Sequence, residues 1–166
     1  MGRFFNSSFL KRISALTVAA ALFMSLSSCG RKPSAVELMS RFCEEYGVFP
    51  EILSPSFSEG EKGHVGEDFF ESVFLESPNS VSDYAIVFLS SLDFIGECAV
   101  FVCYSDYDAI LTVEMLWRRV DLLKSSAVGI GAASLSDAVV FKCGKYAVMC
   151  ALSNNALAER IWRRIL

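Results

Sequence analysis

The stretch AVVFKCGKYAV, residues 138–148, decides the fold because it sets two apolar runs on either side of a short polar turn. Valine and aromatic residues recur in both runs, and such side chains favour strands. Gly144 in the turn is free to adopt positive φ, as a tight hairpin requires. The stretch therefore predicts a β-hairpin.

An earlier part of the chain resembles this segment. The sequence SDYAIVF at residues 82–88 is similar to SDAVVF at residues 136–141. Each copy continues into a second apolar run and then into a helical pattern that contains Trp-Arg-Arg, at residues 117–119 and 162–164. Each copy therefore predicts a strand, a turn, a strand and a helix, which gives two ββα units.

The predicted strands are apolar on both faces rather than alternating, as in strands that helices cover on at least one side. Helices alternate with hairpins, and long crossovers are few. This order predicts an α+β fold: a two-layer sandwich in which a mostly antiparallel four-stranded sheet carries helices on one face. On the helix of the first copy, Ile110, Val113, Trp117 and Val120 fall at core-facing spacing.

A helix is expected to open the domain. Ser34 and Glu37 have the spacing of a capping box, and an apolar stripe follows as far as Gly47. Residues 48–66 combine proline, glycine and charged residues and predict an exposed loop. We assign residues 34–166 to a single α+β domain, because this length suits one hydrophobic core.

The first 28 residues have the layout of a secretory signal: basic residues, an apolar run, then small residues before a cleavage point. The sequence LSSC at residues 26–29 resembles the bacterial lipoprotein box, whose cysteine is diacylated and becomes the new N-terminus. This resemblance predicts a lipoprotein signal peptide at residues 1–28, palmitate-type lipid on Cys29 and a lipid-attached tether at residues 29–33.

Two other interpretations of the leader compete with the lipid anchor. An ordinary cleaved secretory signal is the first, because Leu-Ser-Ser also suits an ordinary signal peptidase. An uncleaved membrane anchor is the second. The apolar run at residues 13–26 is shorter than the roughly 17–25 residues that a spanning helix needs, which disfavours it.

The charge of the chain excludes nucleic-acid binding through bulk electrostatics. Three of the 15 lysines and arginines lie in the leader, so the mature chain has 12 against 19 acidic residues and a net charge of −7. Neutralising phosphates needs an excess of lysine and arginine. The expected contact with the membrane is therefore the lipid, and the expected partner is an envelope protein.

Five cysteines remain once Cys29 carries lipid. They are Cys43, Cys98, Cys103, Cys143 and Cys150. An odd number of exported thiols is compatible with two disulfides and one free thiol. Their apolar neighbours also favour buried, reduced side chains, so both redox states stay open. No CxxC pair occurs, and no metal site is predicted.

The sequence offers little for catalysis. It contains no GxSxG motif, and its only histidine is His64 in a glycine-rich loop. The arginine pairs at residues 118–119 and 163–164 diverge by about 100° around a helix, so neither pair lines one pocket. Glu114 and Glu159, four residues before Arg118 and Arg163, are their expected partners. We predict no catalytic residue and no cofactor, and an enzyme is disfavoured.

The order of these features resembles an uncharacterised family of small lipoproteins, mainly from Gram-positive anaerobic bacteria and known as a domain of unknown function. The resemblance rests on Glu97 before a valine-rich strand, Arg119 on the next helix and the Gly144-x-Tyr146 hairpin. It spans essentially the whole mature chain and implies an exported, single α+β domain. It brings no activity, cofactor or catalytic residue.

Glu97 and Arg119 also suggest a physical interaction. Glu97 directly precedes a hydrophobic strand, and Arg119 lies on the helix expected to pack over that strand. We therefore predict a partly buried structural ion pair between them. Loss of one member would leave the other unpaired, which costs several kcal/mol in a protein interior.

Together these observations predict a lipid-anchored protein on the outer face of the cytoplasmic membrane, acting as a binding or interaction module of the cell envelope. A small-ligand-binding lipoprotein, with a cleft between the proline- and glycine-rich loop and the sheet, is the first alternative, and an envelope hydrolase is the second. An exposed apolar patch would favour the interaction module. A concave pocket with polar groups would favour ligand binding, and convergent carboxylates with a shifted pKa would favour a hydrolase.

Overall fold

The computed structural model describes residues 32–90, 95–126 and 135–166, and the segment Ser34–Leu166 forms one unit. Its principal helices are α1 (Ala35–Tyr46), α2 (Glu67–Phe74), α3 (Asp106–Ser126) and α4 (Asn155–Ile165). Its strands are β1 (Ile52–Leu53), β2 (Val81–Ser90), β3 (Ile95–Cys103), β4 (Val139–Cys143) and β5 (Tyr146–Ala151).

The strands form one antiparallel sheet in the order β1-β2-β3-β5-β4. The β4–β5 hairpin forms where the sequence predicts it, and Gly144 in its turn has a φ of 54°, a conformation that glycine adopts without steric cost. β3 and β5 lie side by side at the centre of the sheet, with Cys98 opposite Cys150. The pairing of β3 with β5 therefore joins the two predicted hairpins.

Helices cover both faces of this sheet. Successive residues of a strand point to opposite faces, so each strand contributes side chains to both. The ion-pair face, which includes Ile86 and Phe101, packs against α2 and α3. The thiol face, which includes Val87, Cys98 and Cys150, packs against α1 and α4. Each face therefore has its own hydrophobic core.

The predicted α+β class and mostly antiparallel sheet are confirmed, and on each face a layer of helices packs on the sheet. Two details of the prediction were wrong: helices lie on both faces rather than one, and β1 adds a fifth strand. The physical reason is the uniformly apolar character of the strands. A strand that is hydrophobic on both sides needs cover on both sides.

The two predicted ββα units are present in chain order, as β2, β3 and α3 followed by β4, β5 and α4. Their helices nevertheless pack on opposite faces of the sheet, α3 on the ion-pair face and α4 on the thiol face. The two units therefore share an order of elements and not one three-dimensional arrangement.

The first helix begins and ends as the sequence predicts. Ser34 and Glu37 form the capping box, in which the Ser34 N–H donates to the Glu37 carboxylate at 2.8 Å. Gly47 ends the helix with a φ of 80°. The N–H of Ala35 donates to Asp83 at 2.9 Å, which attaches the start of α1 to β2.

The segment 48–66 is only in part the exposed loop that its composition predicts, since it contains β1. Ser54, directly after β1, is fully buried, and its N–H donates to the carbonyl of Gly63 at 2.9 Å. A Cβ atom at Gly63, which has a φ of 86°, would lie 2.2 Å from the carbonyl oxygen of Ile52. Only glycine fits there, so this glycine marks a close backbone approach at the edge of the sheet.

Candidate functional site

The predicted lipid-attachment residue, Cys29, and the signal peptide at residues 1–28 lie outside the described residues. Of the tether at residues 29–33, the structure describes Lys32 and Pro33. In the three described ranges, no helix is both long enough and apolar enough to cross a membrane. The lipid anchor stays a prediction from the sequence.

Glu97 on β3 and Arg119 on α3 face each other on the ion-pair face. Arg119 Nη2 donates to Glu97 Oε2 at 2.7 Å, and Arg119 Nε lies 3.2 and 3.1 Å from Oε1 and Oε2. Arg119 Nη1 also donates to the carbonyl of Val73, in α2, at 3.1 Å. A planar guanidinium can make these bonds at once because its donors form a rigid fork. Arg119 therefore joins β3, α2 and α3.

This ion pair lies in the interior. The side chain of Glu97 is 1% exposed and that of Arg119 is 19% exposed. Burial raises the pKa of the Glu97 carboxyl above its ordinary value, while the hydrogen bond and the charge of Arg119 act in the opposite direction. The pair therefore forms a largely buried electrostatic link between the sheet and α3.

Between the C-terminal end of α2 and α3 lies an open cleft of about 460 Å³. Its lining comprises Phe74, Leu75, Glu76, Arg118, Asp121 and Leu122. Arg118 forms an ion pair with Glu76 across the cleft. The cleft thus has apolar walls and a charged rim.

Beside this cleft, the outward side of α3 carries several exposed apolar side chains. We call this area the α2–α3 surface: Tyr107, Ile110, Leu111, Trp117 and Leu122 of α3, together with Leu75 on the other side of the cleft. All six side chains are exposed. The five on α3 fall within about 140° of the helix circumference. Glu114, Arg118 and Asp121 are exposed within the same arc, so the α2–α3 surface mixes apolar with charged side chains.

Leu75 has an unusual backbone conformation. It ends α2 with a φ of 58°, and it is the only non-glycine residue with positive φ among those the structure describes. Glycine is the usual residue at this position of a helix end, because a Cβ there costs energy. The 68% exposed leucine side chain is thus held out into solvent beside the cleft at a conformational cost.

The exposure of Trp117 and Ile110 corrects the sequence prediction that placed both residues in the core. Val120 is buried, as predicted, and the buried side of α3 also carries Ala109, Thr112, Met115 and Leu116. Apolar residues occur all around this helix, so two stripes satisfied the same helical spacing. The small Ala109 and Thr112 were the available signal, because a helix can approach a sheet closely where its side chains are small.

A second, smaller cleft lies between the segment 48–66 and the sheet, as the ligand-binding alternative requires. Its volume is about 210 Å³, and its lining comprises Pro55, Glu67, Pro78, Val81, Ser82, Asp83, Tyr84 and Tyr104. Burial, followed by the charges of Asp83 and Glu67, raises the pKa of Tyr84 to about 12. Asp83 already accepts hydrogen bonds from the Ala35 N–H and the Ser56 hydroxyl, the latter at 2.6 Å.

The five cysteines among the described residues carry free thiols. Cys43, Cys98, Cys103 and Cys150 are buried, as their apolar neighbours indicate, and Cys143 in the β4–β5 hairpin is exposed. Cys98 and Cys150 lie on the thiol face with their sulfur atoms 3.7 Å apart. The odd count noted in the sequence thus includes one closely spaced pair.

The other polar side chains considered as site residues contact neighbouring groups of the protein. Arg163 pairs with Glu159 at 2.6 Å, as predicted, whereas Arg118 pairs with Glu76 of the neighbouring segment. His64 lies with its Nδ1 2.7 Å from the carbonyl oxygen of Phe57, within its own loop. Among the residues that the structure describes, no group of three or more His, Cys, Asp or Glu side chains is placed to hold a metal ion.

No protein-family model, curated protein or solved structure matches this chain. The resemblance to the small lipoprotein family therefore stays a prediction.

Proposed function

We propose that this protein is lipid-anchored on the outer face of the cytoplasmic membrane and acts there as an interaction module that binds an envelope protein. The leader and the LSSC sequence at residues 26–29 support the location. The α2–α3 surface supports the binding activity, and it is the single observation on which that activity rests.

The composition of the α2–α3 surface suits a protein partner. Tryptophan, tyrosine and arginine are enriched where proteins bind each other, and tryptophan at the centre of such a surface often contributes most of the affinity. Here Trp117 and Tyr107 are exposed on the α2–α3 surface, and Arg118 and Asp121 line the cleft beside them.

The tether would keep the folded domain close to the bilayer. Residues 29–33 span at most about 18 Å when fully extended, so the folded domain would stay next to the lipid headgroups. The net charge of −7 of the mature chain opposes direct contact with anionic lipids. A membrane protein or another envelope component is therefore a better-suited partner than the lipid surface itself.

The ligand-binding alternative has its own observation, the smaller cleft beside β2. Its volume of about 210 Å³ is below the 300–1,000 Å³ typical of ligand pockets, and Asp83 is engaged by Ala35 and Ser56. The hydrolase alternative has less support, because Glu97, the carboxyl whose pKa is raised, lines neither cleft. The interaction module is therefore the function that these observations favour.

The location is tested by processing of the leader in a bacterial host. We expect wild-type chain to incorporate radiolabelled palmitate and to accumulate as precursor when globomycin blocks the lipoprotein signal peptidase. Cys29→Ala should abolish both effects. A normally processed mature Cys29→Ala product would contradict the lipid anchor.

The binding activity is tested by affinity purification of the tagged, membrane-extracted protein with quantitative mass spectrometry. We expect Trp117→Ala to reduce recovery of an envelope protein at least tenfold, since a tryptophan that is a hot spot of an interface contributes 2 kcal/mol or more, about a factor of 30. Phe49→Ala is the matched control, because Phe49 is 90% exposed and lies outside the α2–α3 surface. Equal recovery with both variants would contradict the proposal.

A further inference from the structure

The thiols of Cys98 and Cys150 lie close together at the centre of the sheet. The two residues are direct neighbours in the antiparallel ladder of β3 and β5. Both side chains point to the thiol face and are fully buried. Their sulfur atoms are 3.7 Å apart, which is van der Waals contact between two sulfur atoms.

The backbone at this pair suits a covalent bond. Cys103, farther along β3, donates its N–H to the carbonyl of Lys145 at 2.8 Å. Hydrogen-bonded and non-hydrogen-bonded pairs alternate along an antiparallel ladder, so Cys98 and Cys150 form a non-hydrogen-bonded pair. The Cα atoms of such pairs are about 4.5 Å apart, within the range of about 4.4–6.8 Å that disulfides span.

The surroundings of the pair determine when a bond can form. Trp162 covers the pair and donates its indole N–H to Cys98 Sγ at 3.4 Å. Burial raises the pKa of Cys98 and, to about 12, that of neighbouring Cys43, and only the thiolate attacks a disulfide. Once α1 and α4 cover the thiol face, these thiols are therefore poor nucleophiles. A disulfide between them would have to form before the two helices pack on the sheet.

We propose that Cys98 and Cys150 are a disulfide-forming site that is oxidised while the chain folds outside the cytoplasm. The oxidant is a disulfide, either glutathione disulfide or a disulfide-bonded oxidase. One cysteine thiolate attacks that disulfide and releases one reduced thiol. The second thiolate then displaces the other, so one protein disulfide and two reduced thiols replace two protein thiols and one oxidant disulfide.

The consequence is a covalent link between the two central strands. The bond would close a loop between positions 52 residues apart, which constrains the unfolded chain and raises Tm by on the order of 10 °C. The proposal uses the exported location only for the source of the oxidant. It does not depend on any partner of the α2–α3 surface.

Cys103 provides an internal control for this pairing. It is the cysteine that follows Cys98 in the sequence. Its side chain lies on the ion-pair face, where its sulfur is 3.3 Å from the Thr112 hydroxyl. The sheet separates it from Cys150. If the chain is oxidised with its strands in this arrangement, Cys103 should therefore remain a thiol.

The test is peptide mapping of the full chain. The protein is unfolded, refolded in a glutathione redox buffer, alkylated and digested with trypsin, which releases residues 63–118 with Cys98 and Cys103 and residues 146–160 with Cys150 alone. We expect these two peptides to be joined, and joined equally in Cys103→Ala. Alkylated Cys98 and Cys150 after refolding, or a link from Cys98 to Cys43, would overturn the proposal.

A second measurement compares Tm before and after this oxidation. Wild type and Cys103→Ala should gain on the order of 10 °C, and Cys150→Ala should gain nothing. If Cys150→Ala does not fold, the peptide map of the wild type still decides the question. Because neither readout involves Cys29 lipidation, failure of the disulfide is distinguishable from failure of the anchor.

Discussion

The two Trp-Arg-Arg segments of this protein have the same sequence and opposite surroundings. Trp117 of α3 is 41% exposed, whereas Trp162 of α4 is fully buried. The last arginine shows the reverse difference: Arg119 lies in the buried pair with Glu97, and the corresponding Arg164 is largely exposed. A repeated tripeptide therefore supplies a surface residue in one helix and a core residue in the other.

The rotation of each helix about its axis explains this difference. Leu116 and Ile161, which directly precede the two tryptophans, are both buried. From that shared position the buried side extends towards Arg119 in α3 and towards Trp162 in α4. The burial of Trp162 is supported by α1, since its ring stacks on Phe42 at 4.8 Å between centroids.

The two tryptophans give the sharpest test of this comparison. We expect Trp162→Ala to lower the free energy of unfolding by about 3–5 kcal/mol, because it leaves a cavity between α4, α1 and the sheet. Trp117→Ala should lower it by less than about 1 kcal/mol, since exposed positions contribute little. Urea denaturation followed by circular dichroism measures both, and similar losses for the two variants would refute the assignment of faces.

The two arginines should differ in the same way but by less. Arg119→Ala leaves the buried Glu97 carboxyl without its partner and removes the bond to α2, so we expect a loss of about 3 kcal/mol. Arg164→Ala breaks an exposed pair with Glu45 and should cost less than about 1 kcal/mol. The same denaturation experiment applies. Equal, small losses would show that the Glu97–Arg119 pair does not hold α2 and α3 in place.

The sequence predicted the ion pair and most of the fold, and its failures have physical causes. Glu97 before an apolar strand was a strong signal because a buried carboxylate needs a partner. The exposure of Trp117 was missed because apolar residues occur on every side of α3, so spacing alone did not select the buried side. The prediction of helices on one sheet face was wrong because strands that are apolar on both sides need cover on both faces.

The pH dependence of stability gives a smaller effect. A carboxyl whose pKa is raised by folding binds its proton more tightly in the folded state, so its contribution is complete below its ordinary pKa and is lost as the pH rises through the folded value. We expect the stability of the wild type relative to Glu97→Gln to fall as the pH rises above 4.5. Denaturation of both proteins across acidic to neutral pH measures it. A constant difference would contradict the burial of an ionisable Glu97.

Leu75 gives the smallest expected change in stability. Leu75→Gly removes the cost of positive φ and should raise the free energy of unfolding by about 0.5–1 kcal/mol. It also removes an apolar side chain from the α2–α3 surface, so recovery of the partner should fall. Leu122→Ala is the control, since it trims the same surface in regular helix without that gain. A Leu75→Gly protein that is less stable than wild type would show that the leucine packs in the fold.

The most direct test of the account is site-specific photo-crosslinking in intact cells. A photoreactive amino acid is placed at position 117 on the α2–α3 surface, or at position 49, which lies outside that surface and is the more exposed of the two, 90% against 41%. We predict that position 117 yields a crosslink to one envelope protein and position 49 does not. The same adducts from both positions, or no protein adduct from position 117, would contradict the interaction module.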